Sequence, residues 1–142
     1  MRPFEHRLRV RSYELDALGH VNHAVYLSYF EDARFQALEE AGFPPSRIRD
    51  EGWGVVVVRV EVDYLKECRQ GDRLLARTRA ESFKRTSMVL VQELLVEAED
   101  AEDGAVPAAR ARVTAVWVDD EGRPMRIPEP IRVAFGETRS PE

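Results

Sequence analysis

The stretch Tyr13-Glu14-Leu15-Asp16-Ala17-Leu18-Gly19-His20-Val21-Asn22-His23-Ala24-Val25-Tyr26-Leu27-Ser28-Tyr29-Phe30-Glu31-Asp32-Ala33-Arg34 changes character half-way. Residues 13–22 read as a loop, and Gly19 permits a tight backbone conformation there that other residues resist. From His23 onward, apolar residues recur at helical spacing. Tyr26, Tyr29, Phe30, Ala33, Ala37 and Ala41 form one stripe, and Leu27 and Leu38 broaden it. Asn22 suits the N-cap of this helix, Gly42 suits the residue after its end, and Pro44-Pro45 prevents its continuation. The spacing predicts a helix from about His23 to Ala41, well surrounded by the rest of the chain and the only long helical pattern in it.

On either side of this segment the period changes to two. Phe4, His6, Leu8 and Val10 alternate with charged residues and predict a first strand over 4–12. Val56–Tyr64 alternates valines with Arg59, Glu61 and Asp63. Gln70-Gly71-Asp72 is a turn, and Leu74, Ala76, Thr78 and Ala80 then place small side chains on one face, suited to close approach of a helix. Phe83–Thr86 is a second turn before the β-rich run Met88–Glu97. The acidic stretch 97–104 reads as a solvated loop, and Val106–Val118 as a last strand. The tail from about 124 contains Pro124, Pro128, Pro130 and Pro141 and reads as irregular, with a short helical turn near 129–135. One helix against a mainly antiparallel five-stranded sheet, its later strands joined as hairpins, is an α+β arrangement. No repeat or linker divides it, so residues 1–142 are expected to form one domain.

Bulk properties exclude several classes. The 142 residues are enough for a real core, and the net charge of −5 is mild. Arginines are scattered, so no nucleic-acid footprint is evident. Cys68 is the only cysteine, which rules out an internal disulfide or a multi-thiolate metal centre and suits a reducing cytoplasm. The start lacks the apolar segment of a signal peptide, and no apolar run approaches bilayer length. The expectation is a cytoplasmic protein with neither nucleic acid nor membrane as partner.

The carboxylate of Asp16 lies seven positions before His23, where the first helical turn is expected. Unpaired amides of such a turn carry partial positive charge and can polarise a carbonyl. An aspartate in a loop is more often simply a turn or capping residue. His20 and His23 stand three apart, and with Asp16 they suggest a candidate metal set. Glu31 is a rival carboxylate on the helix, and its neighbour Arg34 at i+3 suggests a structural ion pair instead. Cys68 lacks a nearby catalytic partner in sequence and reads as structural.

The run from Tyr13 to Arg34 resembles the signature of the 4-hydroxybenzoyl-CoA thioesterase-like family: an Asp, a Gly three residues on, a Val-x-His step, a Tyr, and Phe-Glu-x-Ala-Arg in the helix. The likeness continues through Val62-Asp-Tyr-Leu, Gly71-Asp72 and Lys84-Arg-Thr-Ser87, covering about residues 5–118. It implies a hotdog fold, in which a curled sheet wraps a central helix. It also implies an acyl-CoA thioesterase that yields a free acid and coenzyme A. By resemblance, Asp16 is the nucleophile or general base. The His23 backbone amide polarises the carbonyl, and the His23 side chain helps to position or protonate. Gly19, Asn22 and Tyr26 border the substrate. Lys84 and Arg85 match a basic position that contacts coenzyme A phosphates in relatives, Thr86 and Ser87 add hydroxyl donors, and these residues are expected to serve the partner's Asp16 in a homodimer or homotetramer. No metal and no cofactor beyond the substrate's own coenzyme A is implied. Two rivals are an enoyl-thioester hydratase or dehydratase and a non-catalytic acyl-CoA-binding module. The hydratases carry Asn-Pro after their Asp, which Asp16-Ala-Leu-Gly lacks.

Overall fold

The computed structural model describes residues 3–101 and 104–136. Within the tail and the acidic loop, the expectations for Pro141 and for 102–103 lie outside the described residues. The chain runs β1 (Phe4–Arg9), a 3-10 turn (Ser12–Glu14), α1 (Val25–Glu40), α2 (Pro45–Asp50), β2 (Gly54–Tyr64), β3 (Arg73–Phe83), β4 (Ser87–Glu97), β5 (Ala105–Val118) and α3 (Glu129–Ala134). The α+β class holds, and every strand pair is antiparallel.

Helix α1 is shorter than the spacing predicts, at 16 residues. Its start moves to Val25 because Asn22 acts one turn early. Asn22 Oδ1 accepts the Ala24 amide at 2.9 Å and its carbonyl accepts the Val25 amide at 2.9 Å, closing a turn before the helix proper. The end is as expected. Gly42 takes a φ of +96°, and the Phe43 amide reaches back to the Leu38 carbonyl at 2.8 Å. The chain is not limited to one helix: Pro45 blocks α1 but opens α2 from its first position, where a fixed φ and a missing N–H cost nothing. The short helical turn foreseen near 129–135 is α3.

The predicted stripe faces the sheet. Tyr26, Tyr29, Phe30, Ala33 and Ala37 are buried over β3, β4 and β5, whose inner faces contribute Leu74, Ala76, Leu94, Val113 and Trp117. The small residues of β3 allow this close approach. Leu27 does not join the stripe; it is 44% exposed, so one side of α1 stays open. Gln92, fully buried beneath α1, donates to the Phe30 carbonyl at 2.9 Å and to Thr78 Oγ1 at 3.0 Å. It also accepts Arg34 Nη1 at 3.0 Å. Arg34 is thus tied to the sheet, not bridged to Glu31 as the i+3 spacing suggested. Burial pulls the Arg34 guanidinium below its usual range, and the charge of Glu31 opposes this.

The sheet order is β1-β3-β4-β5-β2. The β3–β4–β5 run forms the expected hairpins, but β2 does not pair with β3. It pairs with β5 at the far edge, and residues 65–72 carry the chain back across. That segment is too long for a tight turn and is pinned from within: the Leu65 and Lys66 amides both point to the Ala108 carbonyl, and Cys68 is fully buried. The two edges differ. β1 is six residues long and exposes Glu5, Arg7 and Arg9, whereas β2 is eleven long and exposes Val55, Val56, Val57 and Val58.

Candidate active site

Residues 14–22 fold into a small hairpin with Asp16 on its rising arm. Leu15 and Val21 bridge, the Asp16 amide donates to the His20 carbonyl at 2.7 Å, and the Asn22 amide donates to the Glu14 carbonyl at 3.0 Å. Gly19 turns the tip with φ +79°. Nothing lies within 4 Å of a Cβ placed there, so the demand is on the backbone alone. Gly19→Ala is therefore expected to lower unfolding free energy by about 1 kcal/mol, read by denaturant titration.

This hairpin orients the carboxylate. Asp16 Oδ1 accepts the Leu18 amide at 2.9 Å and the His20 amide at 3.2 Å, while Oδ2 has no partner among the described residues. The turn reading of this aspartate is thus correct for one oxygen and leaves the other free. Beside it, the Asn22, Ala24 and Val25 amides are all engaged, whereas no hydrogen bond among the described residues uses the His23 amide. A carboxylate oxygen and an amide with no hydrogen-bond partner among the described residues therefore stand at the start of α1. Both residues are solvent-exposed in the single chain.

Asp16, Gly19 and Asn22 share this hairpin, and His23 and Tyr26 follow where it leads into α1. Tyr26 is buried, its ring edge-on to Tyr64 with centroids 5.1 Å apart. Tyr64 hydroxyl donates to the His23 carbonyl at 2.9 Å and so fixes the helix start from the end of β2. The sequence pattern alone assigns Tyr64 no role, although it sits in the Val62-Asp-Tyr-Leu match. A second anchor comes from 65–72. The Val21 amide donates to the Cys68 carbonyl at 2.8 Å, and His20 Nε2 meets Glu67 Oε2 at 2.9 Å. Burial pushes the Cys68 thiol up, in keeping with a structural part.

Glu67 is held below the usual carboxylate range, chiefly by its hydrogen bond from Arg69 and further by His20. A carboxyl whose folded value is depressed adds stability above its unfolded value and loses it as pH falls through the folded one. Acid titration from neutral pH should therefore release this surface tie below the ordinary glutamate range. The Glu67→Gln variant should show a flatter melting temperature against pH over that window.

Lys84, Arg85, Thr86 and Ser87 stand elsewhere. They form the β3–β4 turn, closed by the Lys84 amide on the Ser87 carbonyl at 2.7 Å, with Lys84 and Arg85 exposed. The Asp16 hairpin touches the segment that leads into the opposite end of β3, through the His20–Arg69 bridge, and Val10, just before the hairpin, bonds Gly71 and Asp72 there. Eleven residues of strand separate the two ends, roughly 30 Å. Within one chain, the basic turn does not meet Asp16. Among the described residues, no three His, Cys, Asp or Glu side chains are grouped to hold a metal ion. Among the described residues, no helix is long and apolar enough to cross a membrane.

Residues 10–135 match the family model described as thioesterase-like superfamily. The chain belongs to the thioesterase-like superfamily. The Escherichia coli acyl-CoA thioester hydrolase YbgC is 30% identical to it over 93% of this chain and 95% of its own. The Arabidopsis thaliana acyl-acyl carrier protein thioesterase ATL2 is also 30% identical, over 93% of this chain and 68% of its own, so the chain spans about two thirds of that plant relative. Among solved structures, a thioesterase from Thermus thermophilus, complexed with coenzyme A and Zn, superposes with a TM-score of 0.76. It is 34% identical, over 92% of this chain and 90% of that one. Membership in the thioesterase-like superfamily places the chain among thioester hydrolases.

Proposed function

We propose that this chain hydrolyses acyl-CoA thioesters to a free carboxylic acid and coenzyme A, with Asp16 as the reacting carboxylate. The observation that supports it is a free Asp16 oxygen on the hairpin and an unengaged His23 amide at the helix start that this hairpin leads into. The names of the relatives support the substrate class. Asp16 Oδ2 acts either on water, taking its proton as the water oxygen adds to the carbonyl, or directly as nucleophile. In both routes the His23 amide holds the developing oxyanion and the C–S bond breaks as it collapses. On the water route the proton taken by Asp16 passes to the departing sulfur; on the nucleophilic route coenzyme A leaves as the thiolate, takes a proton from solvent, and water then hydrolyses the acyl anhydride on Asp16 to the free acid. The chemistry needs no metal or cofactor of its own, and the His23 side chain assists in positioning or protonation.

The working unit is a homodimer, with a homotetramer built from two such pairs, in a cytoplasmic setting. β2 is the edge that supports this. A long, valine-rich strand with free backbone groups is a pairing surface, and β1 is short and charged. The apolar face of β2 continues into a cleft of about 500 Å³ beside α1 and α2, lined by Phe35, Leu38, Ile48, Trp53, Val55 and Val57. A second copy would also supply the basic turn that one chain holds far from its own Asp16. On this reading, Lys84, Arg85, Thr86 and Ser87 of one subunit bind coenzyme A phosphates at the other's site.

A panel of aromatic, short-chain and long-chain acyl-CoAs with a thiol-reactive dye tests the reading. Release of thiol from at least one class is expected. Binding of the panel with no thiol over hours would instead identify an acyl-CoA-binding module. Hydration of an enoyl-CoA without thiol release would identify a hydratase.

A further inference from the structure

Glu14 is the one charged residue that the described fold buries, at 9% exposure. A buried carboxylate is costly unless its hydrogen bonds are satisfied. Glu14 Oε1 collects three donors: the Arg11 amide at 2.7 Å, Arg11 Nε at 3.3 Å, and the Tyr29 hydroxyl at 2.9 Å. Tyr29 is itself 2% exposed, on the second turn of α1. Burial, then the bond to Glu14, raises its phenol above the usual range, so it stays a donor. An apolar pair would fill the same space without this cost.

The position of the pair suggests what the cost maintains. Glu14 begins the arm that carries Asp16 two residues later, and its carbonyl closes the hairpin on Asn22. Tyr29 belongs to the helix whose start presents the His23 amide. The other anchors act elsewhere: Tyr64 holds the His23 carbonyl from β2, and Cys68 holds Val21 on the returning arm. Among the described residues, Glu14–Tyr29 is the side-chain hydrogen bond that joins the Asp16 arm to α1.

We infer that Glu14 and Tyr29 are positioning residues, whose hydrogen bond sets the Asp16 carboxylate at its distance from the His23 amide. The inference rests on the hydrolytic reading of Asp16. Catalytic geometry is sensitive to small displacements, so a loosened hairpin lowers turnover more than binding.

Tyr29→Phe removes one oxygen and keeps the packing. It should lower kcat about tenfold with KM within about twofold. Glu14→Leu also releases the two Arg11 donors and should cost at least as much, and the double variant should be no worse than Glu14→Leu alone, since the Tyr29 bond is already lost in it. Glu14→Gln keeps an acceptor for Tyr29 and should recover most of the rate. Hydrogen exchange gives a readout independent of turnover: the Leu18 and His20 amides, which hold Asp16 Oδ1, should exchange about tenfold faster in Tyr29→Phe, with β4 amides unchanged. An active wild type beside a Tyr29→Phe variant with unchanged kcat and unchanged loop exchange overturns the positioning inference alone. So does a loss of kcat that only follows the folded fraction. A wild type that releases no thiol overturns the hydrolytic reading, and the positioning role with it.

Discussion

Asp16→Asn is expected to cut thioester turnover by at least about 100-fold, the usual scale for removing a positioned acid–base group. The substitution is unusually clean at this position. An asparagine keeps an Oδ1 acceptor for the Leu18 and His20 amides, so the hairpin retains the two bonds that shape it. What disappears is the negative charge on the other oxygen. Steady-state assays with a thiol-reactive dye give kcat, and circular dichroism with a melting curve establishes that the fold is kept. Near-normal turnover in a folded variant would remove Asp16 from the mechanism. It would direct attention to Glu31, the other carboxylate considered, which is exposed on α1.

The second large effect concerns β2. Introducing Val56→Asp and Val58→Asp places two like charges on each copy of a strand proposed to meet its own image. The expected result is a single-chain mass by sedimentation and a fall in kcat/KM of about 10- to 100-fold. That range corresponds to losing one or two charge-assisted contacts to coenzyme A phosphates from the partner's basic turn. The valines are already exposed in the chain, at 47% and 59%, so folding of the subunit should survive. A variant that becomes monomeric yet keeps full kcat/KM would show that Asp16 needs nothing from a second copy.

The helix stripe and the strand alternation were legible because both are periodic, and period is what a packed layer imposes on a sequence. Tyr26, Tyr29, Phe30, Ala33 and Ala37 face the core as their spacing predicts. The gap lies where structure depends on pairing across the chain. Nothing local to Val56–Tyr64 says that its neighbour is β5 and not β3, since the alternation is the same for either partner. Asn22 has the chemistry of a cap, but whether it caps at His23 or closes a turn onto Ala24 depends on how the preceding hairpin delivers it. Glu14 is harder still. A glutamate in a loop reads as solvated, and its burial follows from a tyrosine fifteen positions away. For the site, family resemblance named Asp16 and the His23 amide, and the hydrogen bonds give each a physical circumstance: one oxygen held, one donor unspent. The same pattern gave Tyr64 no part, although it fixes the helix start.

The unequal edges of the sheet also bear on how far self-association can proceed. A sheet with two bare edges can add copies without end, each new chain exposing what the last one covered, and the product is a filament. Here one edge is short and studded with charge, so chains that meet β2 to β2 about a twofold axis use up the only inviting strand on both sides. Growth along the strand-to-strand direction then terminates after a single addition. A substitution that made β1 longer and apolar would remove that stop and turn a closed particle into an open-ended one.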